Sequence, residues 1–469
     1  MKKILLLATI VLFSCQQAEE VRDDLSEKPR LFVLTDFEAD PDDHQSLVRL
    51  LLYSNQMDIE GLVATTSIHQ PKRIGPEGIV RTIEAYAEVR DNLLKHEQGF
   101  PTPQYLFDIV SHGLGAYGME GVGEGKDSPG SDLLIKALEK DDPRPLWISV
   151  WGGVNTLAQA LWKIDATRTP QEAQRLYDKI WVYTIGDQDD SGHWIRKTFP
   201  TIHYIVSPRS SFSSATWNGF LNRAPGSDTE VISAQWLATH IQQGHGPLGA
   251  IYPDVAYGME GDTPSYLGLV SNGLNVPFRP DLGGWGGRYR LYIPEFLGDG
   301  DGRRPSRIPI EPETRPIWTN TLDSVVIGSE SYYDDYTASI WRWRTEIQHD
   351  FAARMDWCIK PYHEANHPPV VALGHPEEFT VKAGEMFWLS SLGTYDPDGD
   401  SMSFEWIHYY ELGSYNKPVR YDGSTRMYEI RPFAPEVESP QTLHFILKVT
   451  DKGTPALTRY KRVIVTVVP

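Results

Sequence analysis

Residues 35–43 read Thr-Asp-Phe-Glu-Ala-Asp-Pro-Asp-Asp, and the reading of this stretch decides the fold. Before it, Leu31, Phe32, Val33 and Leu34 form a short continuous apolar run, which suits a strand buried on both faces. After it, Ser46 to Tyr53 place Leu47, Val48, Leu50, Leu51 and Leu52 largely on one broad helical face. The acids therefore fall in a strand-to-helix turn at the carboxyl end of a strand, the usual position for ligand chemistry in an open α/β sheet. Helix capping accounts for part of the cluster: Asp40 before Pro41 reads as an N-cap with proline at the first helical position, and Asp42 and Asp43 complement the positive helix end. Asp36 and Glu38 precede the helix and have no such role. Crowded into one anionic pocket, these groups repel unless a cation neutralises them, and hard oxygen ligands suit calcium or magnesium.

The chain has 469 residues, enough for two or three domains, and its 40% hydrophobic content allows a proper core. The first residues stand apart. Lys2 and Lys3 precede the apolar run Ile4 to Phe13, and Leu12, Phe13, Ser14 and Cys15 read as a lipobox, so residues 1–15 are expected to be a bacterial lipoprotein signal with Cys15 as the lipid-modified N-terminus. The run is too short to span a bilayer. Residues 16–28 read as a polar tether, and the expected destination is the outer membrane. Cys358 is the other cysteine, so the mature chain has no partner for an intramolecular disulfide, and it reads as a buried thiol. The formal charge of −19 argues against nucleic acid as partner, because phosphate binding needs dense Lys and Arg. Neutral carbohydrate is compatible with that charge and with the 14 tryptophans and 23 tyrosines.

From residue 29 to 362, apolar strands alternate with amphipathic helices, which predicts an α/β domain with a largely parallel sheet. The strand candidates are Arg30 to Leu34, Ile59 to Ala64, Leu146 to Val150, Lys179 to Thr184, His203 to Val206 and Gly249 to Tyr252; helices are expected over Gly78 to Lys95, Ser131 to Lys140, Asn155 to Lys163 and Trp341 to Trp357. Residues 363–369, His-Glu-Ala-Asn-His-Pro-Pro, read as a linker. From 370 to 469 the pattern changes to short alternating strands, predicting a small all-β, immunoglobulin-like sandwich. Within it Asp396, Asp398 and Asp400 read as a Gly-centred turn or as a calcium loop.

Four further stretches stand where strands should end. Gly152 and Gly153 precede Asn155, Thr156 and Leu157, and permit close backbone approach. Asp187 to Gly192 follow the strand ending at Thr184, and Glu260 to Pro264 put acids at a helix start. Trp285 lies between Gly283, Gly284, Gly286 and Gly287, where an indole is either presented to stack on a sugar face or folded back into the core.

This order of motifs resembles the nucleoside hydrolase superfamily, and is most similar to a branch of secreted bacterial cellulose-binding proteins with a nucleoside-hydrolase-like domain and a C-terminal β domain. TDFEADPDDHQSLVRLL (35–51), GDQDDSGHWIRKTFP (186–200), MEGDTPSYL (259–267) and GGWGGRY (283–289) carry the likeness, which extends over about residues 30–469. The resemblance implies that Asp43 is a bidentate calcium ligand, that Asn155 offers its backbone carbonyl, and that Asp262 closes the coordination sphere. It also implies that Asp42 binds sugar hydroxyls. Glu38 stands where the family has an aspartate that binds calcium and activates water, so Glu38 and Asp36 are the two candidate bases. Gly261 replaces the histidine that nucleoside hydrolases carry beside the later aspartate, and Asp189, Asp190 and His193 are the substitute substrate or acid groups. The resulting expectation is an exported hydrolase of a glycosidic bond using calcium-activated water. The alternatives are a non-catalytic cellulose- or carbohydrate-binding protein and an extracytoplasmic nucleoside hydrolase. Trp285 is expected to line the same cleft as Asp42 and Asp43.

Overall fold

A computed structural model describes residues 27–208, 215–221, 223, 227–295, 311–327 and 331–469. The lipobox and Cys15 lie outside the described residues. The apolar run forms β1 (Arg30–Thr35), and its side chains alternate between two cores: Leu31 and Val33 enter one, Phe32 and Leu34 the other. A strand whose successive side chains point to opposite faces must be covered on both, and this one is. Beside it lie β2 (Asp58–Ala64) and β4 (Leu146–Val150), both parallel to it. The sheet is completed by β3 (Val110–His112), β5 (Ile180–Thr184), β6 (His203–Ile205), β7 (Tyr289–Tyr292) and β8 (Ile317–Asn320), in the order β3-β2-β1-β4-β5-β6-β8-β7. Only the pairing of β7 with β8 is antiparallel among these ladders.

This order has a functional consequence. The chain builds outward from β1 through β2 to β3, then returns to the other side of β1 for β4, β5 and β6. The sheet therefore reverses its winding between β1 and β4. Flanking segments diverge there and leave a crevice outside the carboxyl ends of the strands. The helix α1 (Asp42–Leu52) leaves β1 on one side of that crevice, and the helix Asn155–Thr167 leaves β4 on the other.

Where expectation and structure differ, the cause is local. Gly249–Tyr252 is not a strand: Pro247 opens a helix over Gly246–Ala250, and a short apolar run carries no period to separate the two outcomes. β3 has three residues and no apolar run, and β7 exposes three of its four residues as an edge, so neither announces itself.

The C-terminal strands Glu378–Lys382, Met402–His408, Gln441–Asp451 and Thr458–Val468 form one four-stranded sheet, with a short ribbon, Leu389–Ser390 with Glu429–Ile430, packed across it. Period-two alternation again decides the packing. Leu443, Phe445 and Leu447 meet Val463, Val465 and Val467 with Phe387, Leu389, Trp406 and Ile430 in the module's own core. Ile446 and Tyr460, from the opposite face, join the core of the first domain with Trp285 and Trp343. Arg462 donates to the carbonyls of Leu274 (2.6 Å) and Leu282 (2.9 Å), and Arg459 pairs with Asp350 at 2.6 Å. The linker from Ala365 onward is largely buried too. Asn366 and His367 are under 10% exposed, and the His367 ring stacks on Tyr362 at 3.8 Å while contacting His96 (3.0 Å) and Asp398 (3.1 Å). The aspartates of the 396–400 turn serve local structure: Asp396 accepts from the backbone of Asp398 and Asp400, and Asp398 accepts from His367. Cys358 is a buried thiol, pushed up by desolvation.

A chain ending at residue 366 uncovers Trp285 and Trp343 and leaves Asp350 without Arg459. Residues 29–366 alone should therefore aggregate on size-exclusion chromatography, whereas a soluble monomer melting at the full-length temperature would show the interface to be dispensable.

Candidate functional site

The acids converge because three independent elements are pinned around the crevice. Asp36 follows β1 and accepts from Ser67 Oγ, which lies beyond the end of β2. Gly152, just after β4, lets it sit there: a Cβ at that position would come within 2.6 Å of Asp36 Oδ1. The first turn of α1 is capped by Asp40, whose Oδ1 accepts from the Asp42 backbone N–H at 3.1 Å. Pro41 itself stands at the N-cap, so the helix opens at Asp42, one position later than expected. Asp42 and Asp43 then project from that turn. Thr35 donates to Asp43, and Trp217 Nε1 donates to Asp42 Oδ2 at 3.0 Å.

Asp262 arrives from the far side on a strained loop. Glu260 adopts φ of +50°, a left-handed conformation that a non-glycine residue holds only under constraint. The constraint is a fully buried ion pair: Arg49, on α1, grips both oxygens of Glu260, which also accept from Tyr252 Oη (2.7 Å) and Thr263 Oγ1 (2.9 Å). Arg49 is further held by the Ile347 carbonyl at 3.2 Å and stacks over Phe351 at 3.9 Å. Two residues from this anchor, Asp262 faces the α1 acids.

The open cavity has a volume of about 380 Å3 and is lined by Asp36, Asp40, Asp42, Asp43 and Asp262 with His69, Gln188, Ile185, Trp151, Trp217 and Tyr257. No lysine or arginine lines it among the described residues. Burial raises the pKa of all four interior acids, and repulsion within the group raises them further. Asp36 is pushed up to about 7, first by desolvation and then by Asp40, against the lowering effect of Ser67. Asp42, Asp43 and Asp262 lie well above the usual carboxylate range for the same reasons. Asp262 Oδ2 is buried with no hydrogen-bond partner among the described residues, which is costly for a carboxylate. Asp40, Asp42 and Asp43 each offer an oxygen within 4.8 Å of the others. An all-oxygen, uncompensated donor set with an orphaned carboxylate oxygen fits a hard divalent cation such as calcium.

The residues expected at the site divide into two groups. Asp36, Asp42, Asp43 and Asp262 are brought together in the cavity. Glu38, Asn155, Asp189, Asp190, His193 and Trp285 are not among its lining residues. Glu38 is turned outward at φ of +72° by ion pairs to Arg73 and Arg81, the latter at 2.5 Å. The Asn155 side chain donates to Thr66 Oγ1 and to the Ala116 carbonyl, and its N–H donates to Asp189. Asp189 is thus a buried brace between the loops after β4 and β5, also accepting from Ser191; its pKa is about 6, raised by desolvation. Asp190 accepts from the Met119 N–H at 2.8 Å, and His193 meets Glu311 at 3.1 Å. Trp285 is 0% exposed and packs against Tyr460 of the C-terminal module, so the glycines around it bring backbone close to Asn275 and Gly268 rather than presenting the ring. Sequence reading passed over Trp217, Tyr257 and His69. None sits in a motif or a periodic segment, and only the fold carries them to the crevice.

With this geometry in view, residues 30–289 match the family described as cellulose-binding Sde182, nucleoside hydrolase-like domain, and residues 386–467 match the C-terminal domain of cellulose-binding protein Sde0182. The chain is 37% identical, over 94% of its own length and 100% of the other's, to a solved nucleoside hydrolase-related hypothetical protein from Saccharophagus degradans described as associated with carbohydrate metabolism, with a TM-score of 0.77. A second solved structure, the effector protein XOO4466, shares 12% identity at a TM-score of 0.30. No curated protein matches.

Two outcomes follow from the electrostatics. Replacing Arg49 by Met strands Glu260 as a buried charge and should cost about 3–5 kcal/mol in urea unfolding; a loss below about 1 kcal/mol would remove the pair as the anchor of the Asp262 loop. The acids with raised pKa favour the folded state while protonated. With chelator present, the contribution of these acids to stability should therefore be greatest below about pH 4 and be lost as pH rises through the Asp36 value of about 7. Added calcium should reverse that loss, so the gain in Tm from calcium over chelator should grow from about pH 5 to about pH 7.5. Absence of any gain at the upper pH would exclude cation binding.

Proposed function

This chain belongs to the family of cellulose-binding Sde182 proteins with a nucleoside hydrolase-like domain, and from that premise we propose that the cavity beside β1 and β4 is a cation-dependent site that hydrolyses a glycosidic bond. The observation that carries the reading is the convergence of four buried carboxylates, one with an unpartnered oxygen, in a cavity lined by aromatic rings. Asp40, Asp42, Asp43 and Asp262 are the residues that would hold the cation. When bound, it supplies charge compensation and Lewis-acid polarisation. Asp42, clamped by Trp217, binds sugar hydroxyls through charge-assisted hydrogen bonds. Asp36 is the general base: it lines the cavity beside the residues that would hold the cation, and Ser67 orients it. Glu38 has no part in this reading, since Arg73 and Arg81 hold it outside.

Binding without turnover is the second reading, favoured by one feature. Gly261 offers no proton donor beside Asp262, so His69 is the imidazole left among the lining residues to protonate a leaving group. Nucleoside cleavage ranks below both, because a nucleobase leaving group needs that donor. Carbohydrate, including cellulose, is the proposed ligand class. The lipobox at Cys15 supports an exported protein anchored to the outer membrane, and no helix among the described residues is long and apolar enough to cross a membrane.

A panel of oligosaccharides, aryl glycosides and nucleosides, assayed with calcium and with chelator, tests this. Turnover of a glycoside should vanish with chelator, and Asp36→Asn should lower kcat by about 10²–10⁴ with little change in KM. Saturable glycan binding with no turnover would establish the second reading, and release of free base from nucleosides would overturn both.

A further inference from the structure

Trp217 is the least expected member of the cavity, and three contacts define its seat. Its indole lies along residues 258–261 so closely that neither end tolerates a side chain beneath it. A Cβ on Gly258 would come within 2.7 Å of Trp217 Cζ2, and a Cβ on Gly261 would overlap Cδ1 and Nε1 while lying 2.8 Å from Asp42 Oδ2. At the third contact, Nε1 donates to Asp42. The two glycines form a bed, and the aspartate fixes the ring's rotation on it. The space at Gly261 is thus filled although the residue offers no proton donor: the indole occupies the volume that a side chain there would need.

The adjoining Tyr257 is 77% exposed and lines the same cavity, as do Trp151 and Ile185. Asp36, Asp40, Asp42, Asp43 and Asp262 line the same cavity, Asp42 in contact with the indole. A ligand there presents hydroxyls to the acids and an apolar face to the rings. Charge narrows the class, because five aspartates, with no lysine or arginine among the described lining residues, repel an anionic ring such as a uronate or a phosphorylated sugar. The geometry points to Trp217, seated on Gly258 and Gly261 and flanked by Tyr257, as the wall of a second sugar subsite that takes a neutral ring beside the acids. The inference rests on the glycosidic reading of the cavity and deepens it: this side selects its ligand by stacking a sugar face. The indole N–H is already committed to Asp42, so what Trp217 offers a ligand is its π face.

The test compares glucose with cellobiose by calorimetry in calcium, for the wild type, W217A, W217F, G261A and the W217A/G261A double variant, with Tm measured for each. The wild type should prefer cellobiose, and W217A should lose about tenfold of that preference while still binding glucose. W217F keeps a ring without the donor and should retain most of the preference, whereas W217L, measured alongside, fills the seat without a π face and should lose it, which decides the question should W217A fail to fold. G261A should lower Tm by about 3 °C or more through overpacking, and should lose most of that effect in the W217A background because the indole it displaces is gone. A wild-type preference that survives in W217L, or in W217A where it folds, overturns the subsite alone. Strictly additive Tm changes for W217A and G261A overturn the seat. Failure of the wild type to bind either sugar overturns the glycosidic reading and the subsite with it, and tighter binding of a purine nucleoside than of cellobiose assigns the platform to a base instead.

Discussion

The buried ion pair between Arg49 and Glu260 is the constraint on which the site depends. Arg49 stands on the helix that carries Asp42 and Asp43, and Glu260 stands two residues before Asp262. Their union brings together acids more than 200 residues apart in sequence that would otherwise repel. A buried pair is weak evidence for stability, since two desolvated charges recover little net energy. Its value here is positional. Five donors and acceptors on Gln45, Gln348, Tyr252, Thr263 and Ile347 satisfy the remaining valences, and the strained φ of Glu260 persists because this network over-determines it.

The glycines around the crevice do a complementary job. Gly152 admits Asp36, Gly153 admits Asp189 and the Thr66 carbonyl, and Gly258 with Gly261 admits Trp217. In each case a side chain from another element takes the space a Cβ would fill. The cavity is therefore built by long-range approach to bare backbone, at the place where the winding of the sheet reverses. The cost of gathering four carboxylates in a low-dielectric space shows in their raised pKa values, and it makes the site responsive to any ligand that brings positive charge.

The two domains are joined by the same economy of faces that builds the first sheet. Strands Gln441–Asp451 and Thr458–Val468 bury alternate residues in their own module and the residues between them against the first domain. With both faces covered and the linker largely buried from Ala365 onward, the β module supports the first domain: Tyr460 meets Trp285 and Trp343, and Arg462 holds the carbonyls of the segment 274–283.

The sequence by itself determined the elements whose cause is local. An apolar run of strand length, a proline-marked helix start and an acidic turn between them are short-range signals, so β1, α1 and the presence of Asp36, Asp42 and Asp43 at a strand end were legible, as were β2, β4, β5 and the change to an all-β pattern after residue 370. Asp262 was legible through its motif. Glu38 and Trp285 had equally good local credentials, and the tertiary structure removed both from the cavity: two arginines beyond reach of any local rule hold Glu38 outside, and a tyrosine from the other domain covers Trp285. Trp217, Tyr257 and His69 carried no local signal, because their role is set by what lies across the crevice rather than by their neighbours in sequence. Spacing along a chain fixes which face of a strand or helix a side chain takes, whereas occupancy of a cavity is settled by competition among partners from separate elements, and that competition exists only once the chain has folded.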